Sequence, residues 1–251
     1  MVSPKGDEDL KVAVVTGGNR GIGKEVCRQL AQDGMLVILT ARQIENAELA
    51  ASDINEQVVP YQLDVTNEES VERLSAFIKD SYGRVDVLIN NAGVFLDNIM
   101  DDAFPSFLDL PVSTLQETMN VNVYGAARMT KAVFPYMKEA GYGRIVNVSS
   151  GMGRLSAISA SNDVRRDGKS GPYYRMSKAA LHVLTKVTAL EGAPFSILAN
   201  AVCPGWVQTD MGTSEAVKTV QEGASGIVWA AQLPRDGPTG ELLRDGKRLQ
   251  W

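Results

Sequence analysis

The sequence predicts one α/β domain over residues 1–251, built as a doubly wound parallel sheet with helices on both faces. Short apolar runs alternate with longer stretches whose apolar residues recur at helical spacing. The short runs are apolar throughout, as in strands that helices cover on both sides. No internal repeat, low-complexity tract or linker interrupts this alternation, and the length suits a single large domain.

The first half of the chain begins with a compact apolar strand at Val12–Thr16. Gly21–Asp33 follows as a helix because its apolar residues share one face, and Gly34 is a plausible stop for that helix. The next predicted elements are a strand at Leu36–Thr40, a helix at Glu45–Glu56, a strand at Val58–Leu63, a helix at Glu68–Tyr82 and a strand at Val85–Asn90.

The second half continues the same alternation after an irregular loop from about 94 to 111. The predicted elements are a long helix at Ser113–Met137, a strand at Gly143–Ser149, a second long helix from Tyr173 to about Leu190, a strand at Ser196–Val202, a helix that contains Trp229, and a short strand within Glu241–Trp251 with a turn at Asp245-Gly246. The polar, glycine-containing stretch 162–171 fits two interpretations, a flexible flap beside the substrate cleft or a solvated loop without a role.

Composition and charge exclude several classes of protein. A net charge of −5 argues against a general nucleic-acid binder, which needs a basic surface. The two cysteines, Cys27 and Cys203, form no disulfide framework and no metal-ligand spacing, so no metal is expected. The polar start, Met1 to Leu10, is neither a signal peptide nor a membrane span, and we therefore expect a cytoplasmic protein that does not bind membranes.

A glycine-rich turn follows the first strand, from Thr16 to Gly23. Glycines there permit a tight turn and a close approach of the backbone to a ligand. The N-terminus of the helix that follows offers free N–H groups and a positive dipole, which suit a pyrophosphate. This position predicts a Rossmann-type dinucleotide site.

The same residues nearly match a second phosphate-binding pattern. Gly18, Gly23 and Lys24 satisfy most of the loop that is typical of NTPases. The next residue is Glu25, where that loop needs a serine or threonine hydroxyl to bind magnesium. The NTPase interpretation is therefore the weaker one.

The end of the second strand predicts which dinucleotide binds. An NADH site usually has a carboxylate there for the ribose 2′-hydroxyl, and this carboxylate would repel a 2′-phosphate. The strand ends instead at Thr40-Ala41-Arg42, and the glycine turn adds Arg20. Two guanidinium groups can bind a phosphate through charge-assisted hydrogen bonds, so NADPH is favoured, although both arginines could simply be solvated.

Six patterns, the glycine turn among them, appear in a fixed order along the chain. They are Thr16-Gly17-x3-Gly21-x-Gly23, Asn90-Asn91-Ala92-Gly93, Asn122, Ser149-Ser150, Tyr174-x3-Lys178 and Pro204-Gly205. In order and approximate spacing they resemble the short-chain dehydrogenase/reductase family across nearly the whole chain. The segment from Asn200 to Met211 looks most like the carbonyl reductase branch of that family.

This resemblance implies a catalytic role for Ser150, Tyr174, Lys178 and Asn122. Tyr174 and Lys178 are four residues apart on a predicted helix, so they share a face, and a nearby ammonium would stabilise a phenolate. Tyr174 would donate a proton to the substrate oxygen, and Ser150 would hydrogen-bond the same oxygen. Asn122 is carried over as the residue that holds a water linking Lys178 to solvent, and by itself it could equally mark a helix kink.

The expected cofactor is NADPH/NADP+, and the expected partner is a small carbonyl compound. The predicted cofactor-binding residues are Gly17, Asn19, Arg20, Gly21, Ile22, Gly23, Arg42, Asp64, Val65, Asn91, Ala92, Gly93, Tyr174, Lys178, Pro204, Gly205, Val207 and Thr209. Asp64 and Val65 resemble the adenine contacts of the family, whereas Asn90 and Asn91 could instead tie neighbouring strands together. The predicted walls of the substrate pocket are Met152, Leu155 and Trp206.

Two other functions stay open, and one of them is the weaker NTPase interpretation given above. A non-catalytic NADPH sensor or scaffold could keep the same fold, although the presence of Ser150, Tyr174 and Lys178 argues against it. A Ser/His hydrolase has little support, because the single histidine, His182, is expected to be a packing residue and no nucleophile-elbow motif occurs. The state of self-association is not determined by the sequence.

Overall fold

The computed structural model describes residues 10–54, 57–97, 106–157 and 171–251. Within these ranges, eight strands form one sheet. They are β1 (Val12–Val15), β2 (Leu36–Ala41), β3 (Val58–Gln62), β4 (Val87–Asn90), β5 (Gly143–Val148), β6 (Ile197–Val202), β7 (Leu242–Arg244) and β8 (Lys247–Leu249). The order across the sheet is β3-β2-β1-β4-β5-β6-β7-β8, and every neighbouring pair is parallel except β7 and β8.

The helices cover both faces of this sheet, as the sequence predicts. They are α1 (Gly21–Gln32), α2 (Ile44–Ser52), α3 (Glu68–Ser81), α4 (Val112–Met119), α5 (Ala126–Ala140), α6 (Pro172–Gly192) and α7 (Val220–Ala231). One apolar core includes Leu30 of α1 and Ile227 of α7. A second core includes Leu74 of α3 and Met129 of α5. Apolar strands buried between two helical layers explain why the runs in the sequence are apolar throughout.

The long helix predicted at Ser113–Met137 is not continuous. Between α4 and α5, residues Asn120–Gly125 form a π-helical turn, and the whole helical stretch extends from Val112 to Ala140. A π-turn inserts extra backbone into a helix and often occurs at functional sites. Gly125 permits a close approach here, because a Cβ atom on it would lie 2.7 Å from Cγ2 of Val65.

Other predicted boundaries differ by a few residues. The helix predicted at Glu45–Glu56 ends at Ser52, and the strand predicted from Val85 begins at Val87. Such ends depend on caps and tertiary contacts more than on apolar spacing. The predicted flap at 162–170 lies outside the described residues.

The turn predicted at Asp245-Gly246 is confirmed and joins β7 to the antiparallel β8. Both turn residues have positive φ, +50° for Asp245 and +72° for Gly246. That conformation matches the two-residue hairpin turns whose twist suits the flanking strands.

The strand order changes direction between β1 and β4. The chain moves outward from β1 to β2 and β3, then returns to β4 on the other side of β1. The loops at the carboxyl ends of these two strands therefore diverge, and a crevice opens between them. The fold places every loop that follows a parallel strand along this one edge.

A buried amide network ties the sheet to α6. Nδ2 of Asn90 donates to Oδ1 of Asn147 at 2.8 Å, and Nδ2 of Asn147 donates to Oγ1 of Thr185 at 2.8 Å. Asn147 and Thr185 are fully buried. The network links β4, β5 and α6, so it fixes α6 relative to the carboxyl edge of the sheet.

We predict that Asn147→Leu lowers the free energy of unfolding by roughly 1–3 kcal/mol, because it removes two buried hydrogen bonds and leaves the Asn90 amide with long contacts of 3.4 and 3.5 Å only. Chemical denaturation measures the change. Gln232→Leu is the control, since this exposed side-chain amide donates one hydrogen bond, to Asp33 at the surface, within the described ranges. Equal stability of Asn147→Leu and the control would contradict the proposed importance of the network.

Candidate active site

A cleft of about 1730 Å³ opens along the carboxyl edge of the sheet. This volume exceeds the roughly 300–1,000 Å³ of a typical small-molecule pocket, so an extended ligand and a second molecule can fit together. All the predicted cofactor-binding residues line this cleft, and so do Ser150, Met152 and Trp206. Asn122 and Leu155 are not among the residues that line it.

The glycine turn forms one wall of the cleft. Gly17 and Gly21 have φ of +62° and +51°, which side chains rarely allow. A Cβ atom on Gly23 would lie only 2.3 Å from the carbonyl oxygen of Gly17, so α1 can pack this closely only without a side chain. Asn91 stabilises the turn, because its Nδ2 donates to the carbonyl oxygens of Thr16 and Gly17, each at 2.9 Å.

The residues at the lysine and serine/threonine positions of an NTPase loop, Lys24 and Glu25, point away from the cleft. Lys24 Nζ pairs with Asp53 at 2.6 Å, and Glu25 pairs with Arg28 on α1. Neither Lys24 nor Glu25 lines the cleft. The geometry of this turn therefore argues against an NTPase, as the identity of Glu25 does.

The two arginines expected near a 2′-phosphate differ in their surroundings. Arg42 follows β2 and lines the cleft beside Ala41 and Gln43, with no carboxylate at that turn. Arg20 also lines the cleft, but its Nη1 donates to Oδ2 of Asp210 at 2.5 Å, and both side chains are largely exposed. Arg42 is therefore the better placed of the two cations at the end of β2.

Tyr174 and Lys178 lie one helical turn apart on α6, and both are buried. Lys178 Nζ is 5.4 Å from the centre of the Tyr174 ring and donates to the carbonyl oxygen of Val148 at 2.9 Å. Burial lowers the pKa of Lys178 to about 8. Burial also raises the pKa of the Tyr174 phenol, with a further rise from Cys203, while a hydrogen bond with Ser150 lowers it.

Ser150 follows the carboxyl end of β5. Its Oγ accepts a hydrogen bond from the backbone N–H of Met152 at 3.1 Å and caps the short helical turn Gly151–Gly153. This contact uses the oxygen as an acceptor, so the hydroxyl proton stays available for another oxygen. Ser150, Tyr174 and Lys178 together give a hydroxyl, a phenol and an ammonium at one end of the cleft.

Comparison with known proteins agrees with this geometry. The family model described as short chain dehydrogenase matches residues 11–219. The chain belongs to the short-chain dehydrogenase family. The match covers every strand of the parallel sheet except β7, together with the glycine turn and the Tyr174–Lys178 pair.

Individual relatives match over nearly the whole chain. The (+)-neomenthol dehydrogenase of Arabidopsis thaliana is 34% identical, with 93% of this chain and 96% of the relative covered. Carbonyl reductase (NADPH) 3 of Rattus norvegicus is 32% identical, with 96% of this chain and 98% of the relative covered. A solved structure, "ElxO with NADP Bound", has a TM-score of 0.80 at 28% identity and covers 94% of this chain and 96% of its own.

Asn122 of this short-chain dehydrogenase lies where the helix is interrupted, which agrees with the interpretation of Asn122 as a helix-kink residue. Its Oδ1 accepts from the backbone N–H of Val94 at 2.8 Å, and its Nδ2 donates to the carbonyl oxygen of Val94 and to Oγ of Ser177. It lies in the π-helical turn and ties the loop after β4 to α6. Its role in holding a water for Lys178 stays a prediction.

Asn90 and Asn91 tie neighbouring strands together, which is one of the two interpretations of the sequence. Asn90 bonds to Asn147 of β5, and Asn91 bonds to the end of β1. Asn91 also lines the cleft, so its contact with a ribose stays a prediction.

The prediction that Leu155 forms a wall of the pocket is wrong. Leu155 begins a short 3₁₀ turn and is 74% exposed to solvent. Because residues three apart eclipse each other in such a turn, Arg154 and Ala157 line the cleft, and Leu155 points away.

Two residues that sequence reasoning missed hold Tyr174 in place. The ring of Phe95 stacks on the Tyr174 ring at 4.3 Å. The buried carboxylate of Asp97 accepts the backbone N–H of Tyr173 at 2.5 Å and that of Tyr174 at 3.3 Å, at the N-terminus of α6. The one sequence signal for Phe95 and Asp97 was their position just after the Asn90–Gly93 pattern. The residues that they contact lie about 80 positions later in the chain.

No described helix is both long enough and apolar enough to cross a membrane. Among the described residues, no cluster of histidine, cysteine, aspartate and glutamate could hold a metal ion.

His182 is a buried packing residue, as the sequence predicts. Its Nε2 lies 2.8 Å from Oγ of Ser149, and its ring meets the Trp251 ring edge-on at 4.9 Å. Burial and, to a smaller extent, the positive charge of Lys178 lower the pKa of His182 to about 4. His182 is therefore neutral near pH 7 and cannot act as a cation beside Lys178.

We predict that His182 destabilises the protein in mild acid. The folded pKa is about 4 and the unfolded value is 6.5, so only the unfolded chain gains a proton as the pH falls through this window. The melting temperature of His182→Gln should therefore fall less between pH 7 and pH 5 than that of the unaltered protein. Because the chain has one histidine, an equal fall in both proteins would contradict the assignment.

Proposed function

We propose that this short-chain dehydrogenase reduces the carbonyl group of a small organic molecule to an alcohol, with NADPH as the reductant. One observation carries the proposal: the phenol of Tyr174, the ammonium of Lys178 and the hydroxyl of Ser150 meet at one end of a cleft that a glycine turn borders. The reductase names of several relatives, including carbonyl reductase (NADPH) 3, point to the same class of reaction.

The residues of the cleft fit NADP(H). The glycine turn leaves the N-terminus of α1 open to a pyrophosphate. The turn after β2 presents Arg42 and no carboxylate, which suits a 2′-phosphate. Asp64 and Val65 border the cleft after β3, where an adenine ring would lie. When bound, NADPH supplies the hydride that the carbonyl carbon accepts.

The chain supplies the proton and stabilises the charge. Tyr174 is protonated at neutral pH, because the ordinary pKa of a phenol is about 10 and burial raises it further. Its O–H bond breaks as the proton moves to the carbonyl oxygen, and a phenolate stays behind. Ser150 donates a hydrogen bond to the same oxygen, and the Lys178 ammonium stabilises the phenolate until solvent returns a proton. The products are an alcohol and NADP+.

Replacement of Tyr174 by phenylalanine tests the proposal. We expect Tyr174→Phe to lower kcat by about a hundredfold or more, since it removes the proton donor. The assay follows NADPH absorbance with a panel of aldehydes, ketones, diketones and quinones. NADPH should still raise the melting temperature of the variant without added metal, because the phenol hydroxyl is not needed for binding of the dinucleotide.

The neighbouring tyrosine provides a matched control. Tyr173→Phe removes a phenol hydroxyl one residue away, which donates to the carbonyl oxygen of Leu110 and does not line the cleft. Its turnover should stay close to that of the unaltered protein. Equal activity of Tyr174→Phe would remove the assigned acid. Stabilisation by NADPH with no reduction of any carbonyl compound would favour a sensor or scaffold.

The pKa of Lys178 sets the expected pH dependence. With a pKa of about 8, Lys178 is charged below that pH and neutral above it. Because reduction needs the ammonium, kcat/KM for the carbonyl compound should fall as the pH rises through about 8. The residual activity of Lys178→Arg should lack this fall, since a guanidinium stays charged. The same fall in Lys178→Arg would assign it to another group.

A further inference from the structure

Three arginines line the cleft near the catalytic residues, and one of them, Arg175, donates to the carbonyl oxygen of Met152. The other two are Arg154 and Arg244. Arg154 follows the helical turn Gly151–Gly153, and Arg244 ends β7. A Cβ atom on Gly151 would lie 2.9 Å from Nη2 of Arg244, so this guanidinium lies directly beside the residue that follows Ser150. Arg154 lies close enough to His182 for its charge to lower the pKa of that imidazole.

These two guanidinium groups are poorly paired. Within the described part of the chain, no carboxylate lies within 4 Å of either one. Nε of Arg154 and Nε of Arg244 are buried and have no hydrogen-bond partner among the described residues. Arg244 Nη2 has one contact, a weak one, to Sγ of Cys203 at 2.8 Å.

The carboxylates that line the cleft do not balance this charge. They belong to Asp64, Glu117, Asp210 and Glu215. Asp210 pairs with Arg20, and Asp64 accepts from the backbone and hydroxyl of Thr66. Within the described residues, neither Glu117 nor Glu215 lies within 4 Å of Arg154 or Arg244, so the end of the cleft that holds Ser150 is lined by cations, with Lys178 among them.

A buried N–H donor without a partner is costly, and an arginine keeps its charge in any protein environment. A carboxylate matches the planar fork of a guanidinium and accepts two parallel hydrogen bonds. A substrate that brings a carboxylate to this end of the cleft would offer the guanidinium Nη groups two anionic acceptors. A neutral substrate would offer them uncharged acceptors only, which bind more weakly.

We infer that Arg154 and Arg244 bind a carboxylate of the substrate, so that the enzyme prefers oxo acids to neutral carbonyl compounds. The inference deepens the proposed function and rests on it for the identity of the reacting group. The binding of the carboxylate rests only on the two arginines and can be measured without turnover.

Matched acids and esters test the inference. The probes are 3- and 4-acetylbenzoate and their methyl esters. Each acid and its ester share the ketone and differ in charge, and the two isomers differ in the distance between the ketone and the carboxylate. We expect kcat/KM with NADPH to be roughly tenfold or more higher for at least one acid than for its ester. In Arg154→Gln and Arg244→Gln the ratio of acid to ester should fall toward one.

Arg73→Gln is the matched control. Arg73 is an exposed arginine of α3 that does not line the cleft, so its loss should leave the ratio unchanged. Arg154→Lys and Arg244→Lys keep the charge without the fork and should give intermediate ratios. Melting temperatures verify that each variant is folded, and the acid–ester comparison in the unaltered protein needs no variant.

Calorimetry separates this inference from the proposed function. The acetylbenzoates should bind the complex of the unaltered protein with NADP+ more tightly than their esters do, and the glutamine variants should lose this difference. If no ketone is reduced but the arginine-dependent binding is found, the proposed function fails and the carboxylate site stands. Equal binding and equal turnover of acids and esters would overturn the site and leave the carbonyl reductase intact.

Discussion

The buried ammonium of Lys178 is the constraint on which the site depends. A cation in the interior is costly unless polar groups meet it, and here the carbonyl oxygen at the end of β5 accepts its hydrogen bond. That contact requires α6 to lie at one height against the carboxyl edge of the sheet. Asn122 and Asn147 fix the position of α6, because they form hydrogen bonds with Ser177 and Thr185 on that helix. The phenol of Tyr174 is positioned as a consequence.

The charge of the cleft differs from the charge of the whole chain. The chain is acidic overall, with a net charge of −5, yet arginines and a lysine line its cleft. A local basic surface within low-dielectric walls attracts anionic ligands, whatever the net charge of the protein. In our proposals, Arg42 binds the 2′-phosphate of the cofactor, and Arg154 and Arg244 bind the carboxylate of the substrate.

Much of the architecture could be predicted, because strands and helices have strong periodic patterns. The glycine turn, the order of the elements and the hairpin turn at Asp245-Gly246 were all predicted from the sequence. The π-turn at Asn120–Gly125 was not, since apolar spacing continues across it with little change. Leu155 was placed wrongly because an apolar residue near the cleft does not reveal which way a short turn directs it.

The sequence by itself determined the fold class, the dinucleotide turn and the Tyr174–Lys178 pair, because these depend on local spacing and on residue chemistry. Tertiary structure alone decided which distant groups meet: Phe95 on the ring of Tyr174, Asp97 at the N-terminus of α6, and Arg244 beside Gly151. Those contacts join segments about 80 residues or more apart. Only packing of the whole chain fixes such distances, so no local pattern encodes them.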